Sequence, residues 1–278
     1  MSSDTIPVDQ GSLVTPRVRR VTADDPWVWL TKGWRDTRET LGPSLAYGAI
    51  FVVMGYALLQ YIQFEFRFML VLTAGFFLVG PFLATGLYDL SKRLEEGDEP
   101  TLGKALFAWR GNIKGIMLFG LLVGIIMVVW VRLAALVYAL LVASSDSFVV
   151  SDSVDQLFFS GAGLTFLIAF TLVGGVLAAL VFAIGAVSIP MMVDDKNSDI
   201  FTAVVTSFTA VRHNLGPMTL WAALIVVFIG AGLLTFYLGL AITLPIVGHG
   251  TWHAYRALVE RSDLPLPADA SVSPPADQ

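Results

Sequence analysis

The sequence predicts an all-α membrane protein. Six transmembrane helices are expected as three repeats of an amphipathic surface helix plus a transmembrane hairpin, pseudo-threefold, with both termini cytoplasmic. Three observations predict it. The chain is 56% hydrophobic and 14% charged over 278 residues, well below the roughly 25% charge of a soluble domain, so most of its surface must face lipid. One stretch occurs three times: WRDTRETLGP at 34–43, LFAWRGNIKG at 106–115 and FTAVRHNLGP at 208–217. Finally, of the 17 Lys and Arg, all but Arg67 and Arg132 fall before the first apolar run, in 91–114, in 191–214 or after Trp252. That asymmetry puts those segments on the cytoplasmic side.

The three copies align on Arg38, Arg110 and Arg212. Eight residues earlier stand Leu30, Leu102 and Val204; four earlier, Trp34, Leu106 and Phe208; three later, Leu41, Ile113 and Leu215. Spacings of three and four place these side chains on one helix face. Each copy is expected to break at Gly42-Pro43, Lys114-Gly115 or Gly216-Pro217 and to turn into a span. The arginine before each corner is placed to meet the last carbonyls of the surface helix, or lipid phosphate. The stripe itself is expected to pack under its own bundle and seat it in the headgroups.

In chain order, residues 1–24 read as a disordered basic arm ending in Arg17, Arg19 and Arg20. A single six-span domain covers 25–260, with repeats at 25–90, 101–190 and 199–260, and a Pro-, Ser- and Asp-rich tail at 261–278 reads as disordered. Asp25-Pro26 is read as an N-cap carboxylate followed by Pro at the first helical position. Trp27, Trp34, Trp109 and Trp252 are expected at the membrane interface, where an indole ring is buried and its N–H stays wet. The first two spans, about 43–62 and 68–90, fit the roughly 20 residues needed to cross, and Pro81 is expected to kink or unwind the second. Residues 91–100 read as a polar turn, after which Thr101 can cap the second surface helix. The middle hairpin has two apolar runs of about 30 residues, longer than one crossing, and should stand taller than its neighbours. Arg132 lies about 25 Å along the helix from Gly115, near the opposite interface, where it can snorkel. The last hairpin needs a tight turn within 230–239, and its second span carries Pro245, which matches Pro81, with Gly250 matching Gly86.

Several motifs carry a family resemblance: VRRVT (18–22), GWRD (33–36), SLAYG (44–48), GLYD (86–89), RLAA (132–135), GPMTLWA (216–222) and GHGTWHAYR (248–256). With these, the sequence resembles a bacterial integral-membrane family catalogued as domain of unknown function 2189, over about residues 17–258. The resemblance implies a bacterial inner-membrane protein without an assigned activity, and secondarily a haem- or metal-associated respiratory-chain accessory factor. The repeated surface helix and hairpin also look like membrane domains attached to glycerophosphodiester phosphodiesterases.

The chemistry-bearing residues are few. With no cysteine, disulfides and thiolate sites are excluded. His249 and His253 share a helix face and are the candidate metal ligands, but a usable site needs a third donor and only His213 remains. They are therefore read as interfacial histidines. Asp194, Asp195 and Asp199, like Glu95, Glu96, Asp98 and Glu99, read as solvated acidic turns. The stretch from Gly97 to Lys104 departs from a phosphate loop, since Ala105 stands where Ser or Thr would hold magnesium. No Ser–His–Asp set or other catalytic constellation is visible, so no enzyme activity and no cofactor are expected. The spans lack the mid-depth carboxylate that ion-coupled transport uses. The expected function is an accessory or scaffold subunit of a membrane complex, with a passive small-solute or lipid transporter as the alternative. Its partners are the lipid bilayer and a membrane protein, not nucleic acid.

Overall fold

A computed structural model describes residues 16–64, 69–141 and 160–260 of the chain. Apart from one isolated bridge, the elements among the described residues are all helices: α1 (Asp25–Glu39), α2 (Leu41–Phe64), α3 (Met69–Glu96), α4 (Leu102–Leu106), a 3-10 turn (Ala108–Asn112), α5 (Ile113–Leu141), α6 (Gly161–Gly185), α7 (Ser188–Asp194), α8 (Ile200–His213), α9 (Leu215–Leu234) and α10 (Leu240–Leu258). Three stretches are long and apolar enough to cross a membrane, Ala108–Leu141, Gly163–Asp194 and Leu215–Leu234. The pair Asp25–Glu39 and Leu41–Ala57 also qualifies, bent by 104°.

The bends fall two residues earlier than the Gly-Pro signal suggests. Each corner is a buried polar residue two positions after the aligned arginine: Thr40, Asn112 and Asn214. Gly42-Pro43 and Gly216-Pro217 lie inside the first turn of the next helix, where a missing N–H costs nothing. Thr40 Oγ1 donates to Asp36 O, and Asn214 Nδ2 donates to Ala210 O. Asn112 caps the other way, its Oδ1 accepting from the Gly115 N–H while its Nδ2 donates to Ser198 O. These contacts hold backbone groups that a helix end leaves without a partner.

Other local expectations are corrected. Asp24, not Asp25, occupies the N-cap of α1, and the Asp25 carboxylate accepts from the backbone N–H and hydroxyl of Thr22. The second surface helix is broken into α4 and the 3-10 turn, and Thr101 makes no side-chain cap. The polar turn after α3 begins only at Gly97, whose φ of 74° suits glycine, and the Asp98 N–H closes on Arg93 O. Helix α3 continues through Pro81 without unwinding. Residues 16–24 are not a free arm. Val18 bridges Val259, Arg19 N–H donates to Leu258 O, and Asn214 bonds both Val21 N–H and Arg19 O. The remainder of that arm and of the tail lies outside the described residues.

Only part of the aligned stripe packs under the bundle: Leu30, Leu102, Leu106 and Val204 are half-buried against the core. Trp34, Leu41, Ile113, Phe208 and Leu215 are all exposed. The buried face of each surface helix instead carries a small residue five positions before the arginine, Gly33, Ala105 and Ser207. Those residues let α1 lie on α10, α4 on α3, and α8 on α6. Nine residues after each arginine stands a buried ring, Tyr47, Phe119 or Trp221. Each ring rests on a glycine of its own hairpin, Gly86, Gly185 and Gly250 respectively.

Helix α10 packs against α1, α2, α3, α7 and α9. Two glycines permit this. A Cβ on Gly33 would stand 2.7 Å from Gly250 N, and one on Gly48 would stand 2.5 Å from Ala241 Cα. Trp252, expected at the interface, is fully buried here and its indole N–H has no partner among the described residues. The last hairpin turns at 235–239, within the expected window. Its Phe236 and Tyr237 adopt positive φ, and Tyr237 folds back onto Gly55.

Because backbone opposes Gly33 and Gly48, neither neighbour can yield to a new side chain. Gly33→Leu or Gly48→Val should abolish the cooperative melt in detergent, whereas Gly216→Ala, where nothing lies within 4 Å, should melt like the parent. Equal melting temperatures for all three variants would refute the packing of α10.

Candidate functional site

Four helices bring their polar side chains to one buried point. Asp36 and Thr40 come from α1 and its corner, Ser44 from α2, Ser91 from α3, and His249 and His253 from α10. All six are buried, with Asp36 only 1% exposed and His249 fully enclosed. The distances are those of direct hydrogen bonds: Thr40 Oγ1 to Ser44 Oγ 2.8 Å, Ser44 Oγ to His249 Nε2 2.9 Å, His249 Nδ1 to Ser91 Oγ 2.7 Å, Ser91 Oγ to Asp36 Oδ2 2.8 Å, and His253 Nε2 to the same Oδ2 2.7 Å.

One proton assignment satisfies this chain. Ser91 has a single hydroxyl hydrogen, given to the Asp36 carboxylate, so its oxygen accepts from His249 Nδ1–H. The Nε2 of a neutral His249 then accepts the one hydroxyl hydrogen of Ser44, whose oxygen shares the Thr40 hydroxyl hydrogen with Asp36 O. Both runs of donors converge on Asp36, which has Arg35 at 3.5 Å on its other oxygen. Burial by itself would raise the Asp36 pKa. The His253 hydrogen bond and charge, together with the Ser91 hydroxyl, outweigh it and hold the carboxyl below its usual range.

A layer of ion pairs continues the site toward the Lys/Arg-rich end. Asp194, at the end of α7, meets Lys92 Nζ at 3.2 Å and accepts from the Tyr255 hydroxyl at 2.8 Å. Glu95 binds Arg256 at 3.0 Å and faces His253 Nδ1 at 3.8 Å. The reading of Asp194 and Glu95 as solvated turns is therefore corrected, since they tie α3, α7 and α10 together. Asp199 is the N-cap of α8, its pKa lowered first by the Thr202 hydroxyl and then by the Thr202 N–H.

The two histidines, read from the sequence as interfacial, are buried between helices, and hydroxyl, imidazole and carboxylate groups do assemble in space. Yet Asp36 accepts from His253 and Ser91, while His249 lies between two hydroxyls. Ser44 and Ser91 are wholly buried, so the set as folded presents no nucleophile to a cleft. Among the described residues no group of three or more metal-ligating side chains comes together. What the arrangement does chemically is cross-link four helices through a fully partnered polar network.

The remaining candidates are dispersed. Arg38 lies 5.6 Å over the Trp34 ring and Arg110 lies 4.3 Å over Phe107, so these two guanidinia, expected to meet the last carbonyls or lipid phosphate, also stack on rings. Trp27 and Trp34 are exposed on α1, Trp109 packs against Phe82, Arg132 is exposed on α5, and Pro245 is buried inside α10. Sequence reasoning missed Asp36, Ser44 and Ser91. A signal was present: polar residues at 36, 40 and 44 continue one four-residue period across the corner, opposite the pair at 249 and 253.

Removing the Asp36 carboxylate strands His253 and Ser91, and breaking such a buried pair costs about 3–5 kcal/mol. Asp36→Ala should therefore lower the melting temperature sharply at pH 7. Because the folded pKa is depressed, the carboxylate's contribution is complete above the unfolded value near 3.8 and is lost as pH falls through the folded value. The gap between parent and Asp36→Asn should shrink below that pH. Melting curves from pH 7 to pH 3 check this, and a constant gap would contradict it.

No curated protein and no solved structure matches the chain. A family model does: residues 68–194, from α3 through α7, match the family described as "Predicted integral membrane protein (DUF2189)".

Proposed function

We propose that the protein is a closed, six-span scaffold of the bacterial inner membrane, an accessory subunit and not a conduit. One observation carries this reading. Helix α10 packs without a gap where the polar groups gather: its backbone meets Gly33 and Gly48, and its His249 is locked between Ser44 and Ser91. A transporter needs a polar cavity at such a position.

The six spans are α2, α3, α5, α6, α9 and α10, and three repeats build them. Supporting the repeat are the buried corner residues, the small residues at 33, 105 and 207, and the rings at 47, 119 and 221, all in register with the aligned arginines. Supporting a ring of three is the packing order. The surface helix of each repeat lies on the return helix of the preceding one, and that of the first lies on that of the last. With the surface helices in the cytoplasmic headgroups, the exposed stripe of Trp34, Phe208, Leu41, Ile113 and Leu215 meets lipid. Helix α5, at 29 residues, is about 43 Å long, enough to project past a hydrocarbon core of about 30 Å.

Two measurements test the proposal. Cysteines at Asn197 and Ser153 should label from opposite faces of intact membranes, and only Ser153→Cys should react with an impermeant reagent added outside. Labelling of both from outside would overturn the topology. Proteoliposomes should retain entrapped small solutes as well as protein-free vesicles do, and release in proportion to protein content would overturn the scaffold reading. Copurification at fixed stoichiometry from native membranes would then identify the partner.

A further inference from the structure

The three interfaces between repeats are not equally closed. Helix α2 packs on α10, and α5 packs on α3. The corresponding pair, α9 and α6, makes no comparable contact and leaves a groove of about 570 Å³ between the helices. One wall is Ala178, Ala179, Phe182 and Ala183 of α6; the other runs down α9 from Leu215 to Val226. Small residues on α6 keep the groove open, and Ala222 does the same on α9.

At the upper end of the groove, beside the α8–α9 corner, stands Arg212, the one charged residue in its lining. Arg38 and Arg110, its counterparts, are stacked on aromatic rings. Arg212 is exposed and makes no ion pair, hydrogen bond or ring contact among the described residues. From Leu215 to Val226 the helix rises about 16 Å, half of a hydrocarbon core of about 30 Å and so the depth of one leaflet.

We propose that this groove holds one anionic phospholipid of the cytoplasmic leaflet, its phosphate on the Arg212 guanidinium and one acyl chain along the α6–α9 wall. The proposal rests on the six-span reading for the headgroup depth of Arg212. The chemistry matches at both ends. A planar guanidinium takes a phosphate through paired N–H donors, and an apolar trough of one leaflet's depth fits a chain but offers nothing to a soluble anion. The lipid would complete the third interface as helix packing completes the other two.

The test is lipid retention by the purified full chain, read by native mass spectrometry after extensive delipidation and readdition of phosphatidylglycerol or phosphatidylcholine. The parent should hold one phosphatidylglycerol. Arg212→Ala should weaken that binding by roughly tenfold or more, the worth of one charge-assisted hydrogen bond, and Arg212→Lys should weaken it less. Ala222→Phe, which fills the trough and leaves the charge, should abolish it, while Arg132→Ala, which removes an exposed cation outside the groove, should not change it. Equal retention by the parent, Arg212→Ala and Ala222→Phe would overturn the site. Equal affinity for phosphatidylcholine would overturn the anionic class, and retention of inorganic phosphate in place of lipid would overturn the chain's role. Because retention is read on detergent-solubilised protein, its failure is separate from failure of the cysteine-labelling topology.

Discussion

The carboxylate of Asp36 is the constraint around which the described helices are arranged. A charge this deeply buried is tolerated only if its oxygens are fully engaged, and the donors come from Ser91 on α3 and His253 on α10. Thr40 and Ser44 extend the same network across the α1–α2 corner to His249. Four helices are thereby fixed in rotation and height, because a slip of one residue on any of them would leave a buried donor or acceptor without a partner.

Close backbone contact makes that network possible. Hydrogen bonds of 2.7–2.9 Å between short side chains on different helices require the helices to approach further than ordinary side chains allow. Gly33 against α10, and Gly48 against Ala241, supply the approach. Glycine and polar side chain are thus two halves of one device. The glycines bring the helices together, and the network makes the approach specific to one register. In a lipid-facing molecule this combination matters because burying apolar surface between spans gains little over leaving it in hydrocarbon.

The proposed three-repeat plan gives the differences among copies their meaning. The first repeat carries Asp36, Thr40 and Ser44, and the equivalent positions of the second and third carry Ala108, Asn112 and Ile116, and Ala210, Asn214 and Met218. Only one of three equivalent corners therefore bears a charge, and only there does a histidine pair face it. The third repeat diverges otherwise: its Arg212 is released from a ring partner and its first span stands off α6. A chain that repeats its backbone plan can specialise one interface at a time, because each is stabilised by its own small residue, corner and ring.

Much of the plan was legible because it is written in local periods. Apolar run length, arginine register and Lys/Arg asymmetry predicted an all-helical membrane protein, the surface-to-span bends and a turn within 230–239, and the family match to residues 68–194 agrees with that class. Local signals also misled where two residue types compete. Gly-Pro reads as a break but sits comfortably in a first helical turn, so the corner belongs to Thr40, Asn112 and Asn214. Indoles read as interfacial, yet Trp252 is enclosed by neighbouring helices. What only the tertiary structure decided is which side chains share space: that Asp36 and His253, separated by 217 residues, meet; that Ser91 is core and not turn; and that one interface of three is left open. Periodicity fixes the face on which a side chain lies, but the helix that covers that face is chosen by steric fit and hydrogen-bond pairing between segments far apart in the chain.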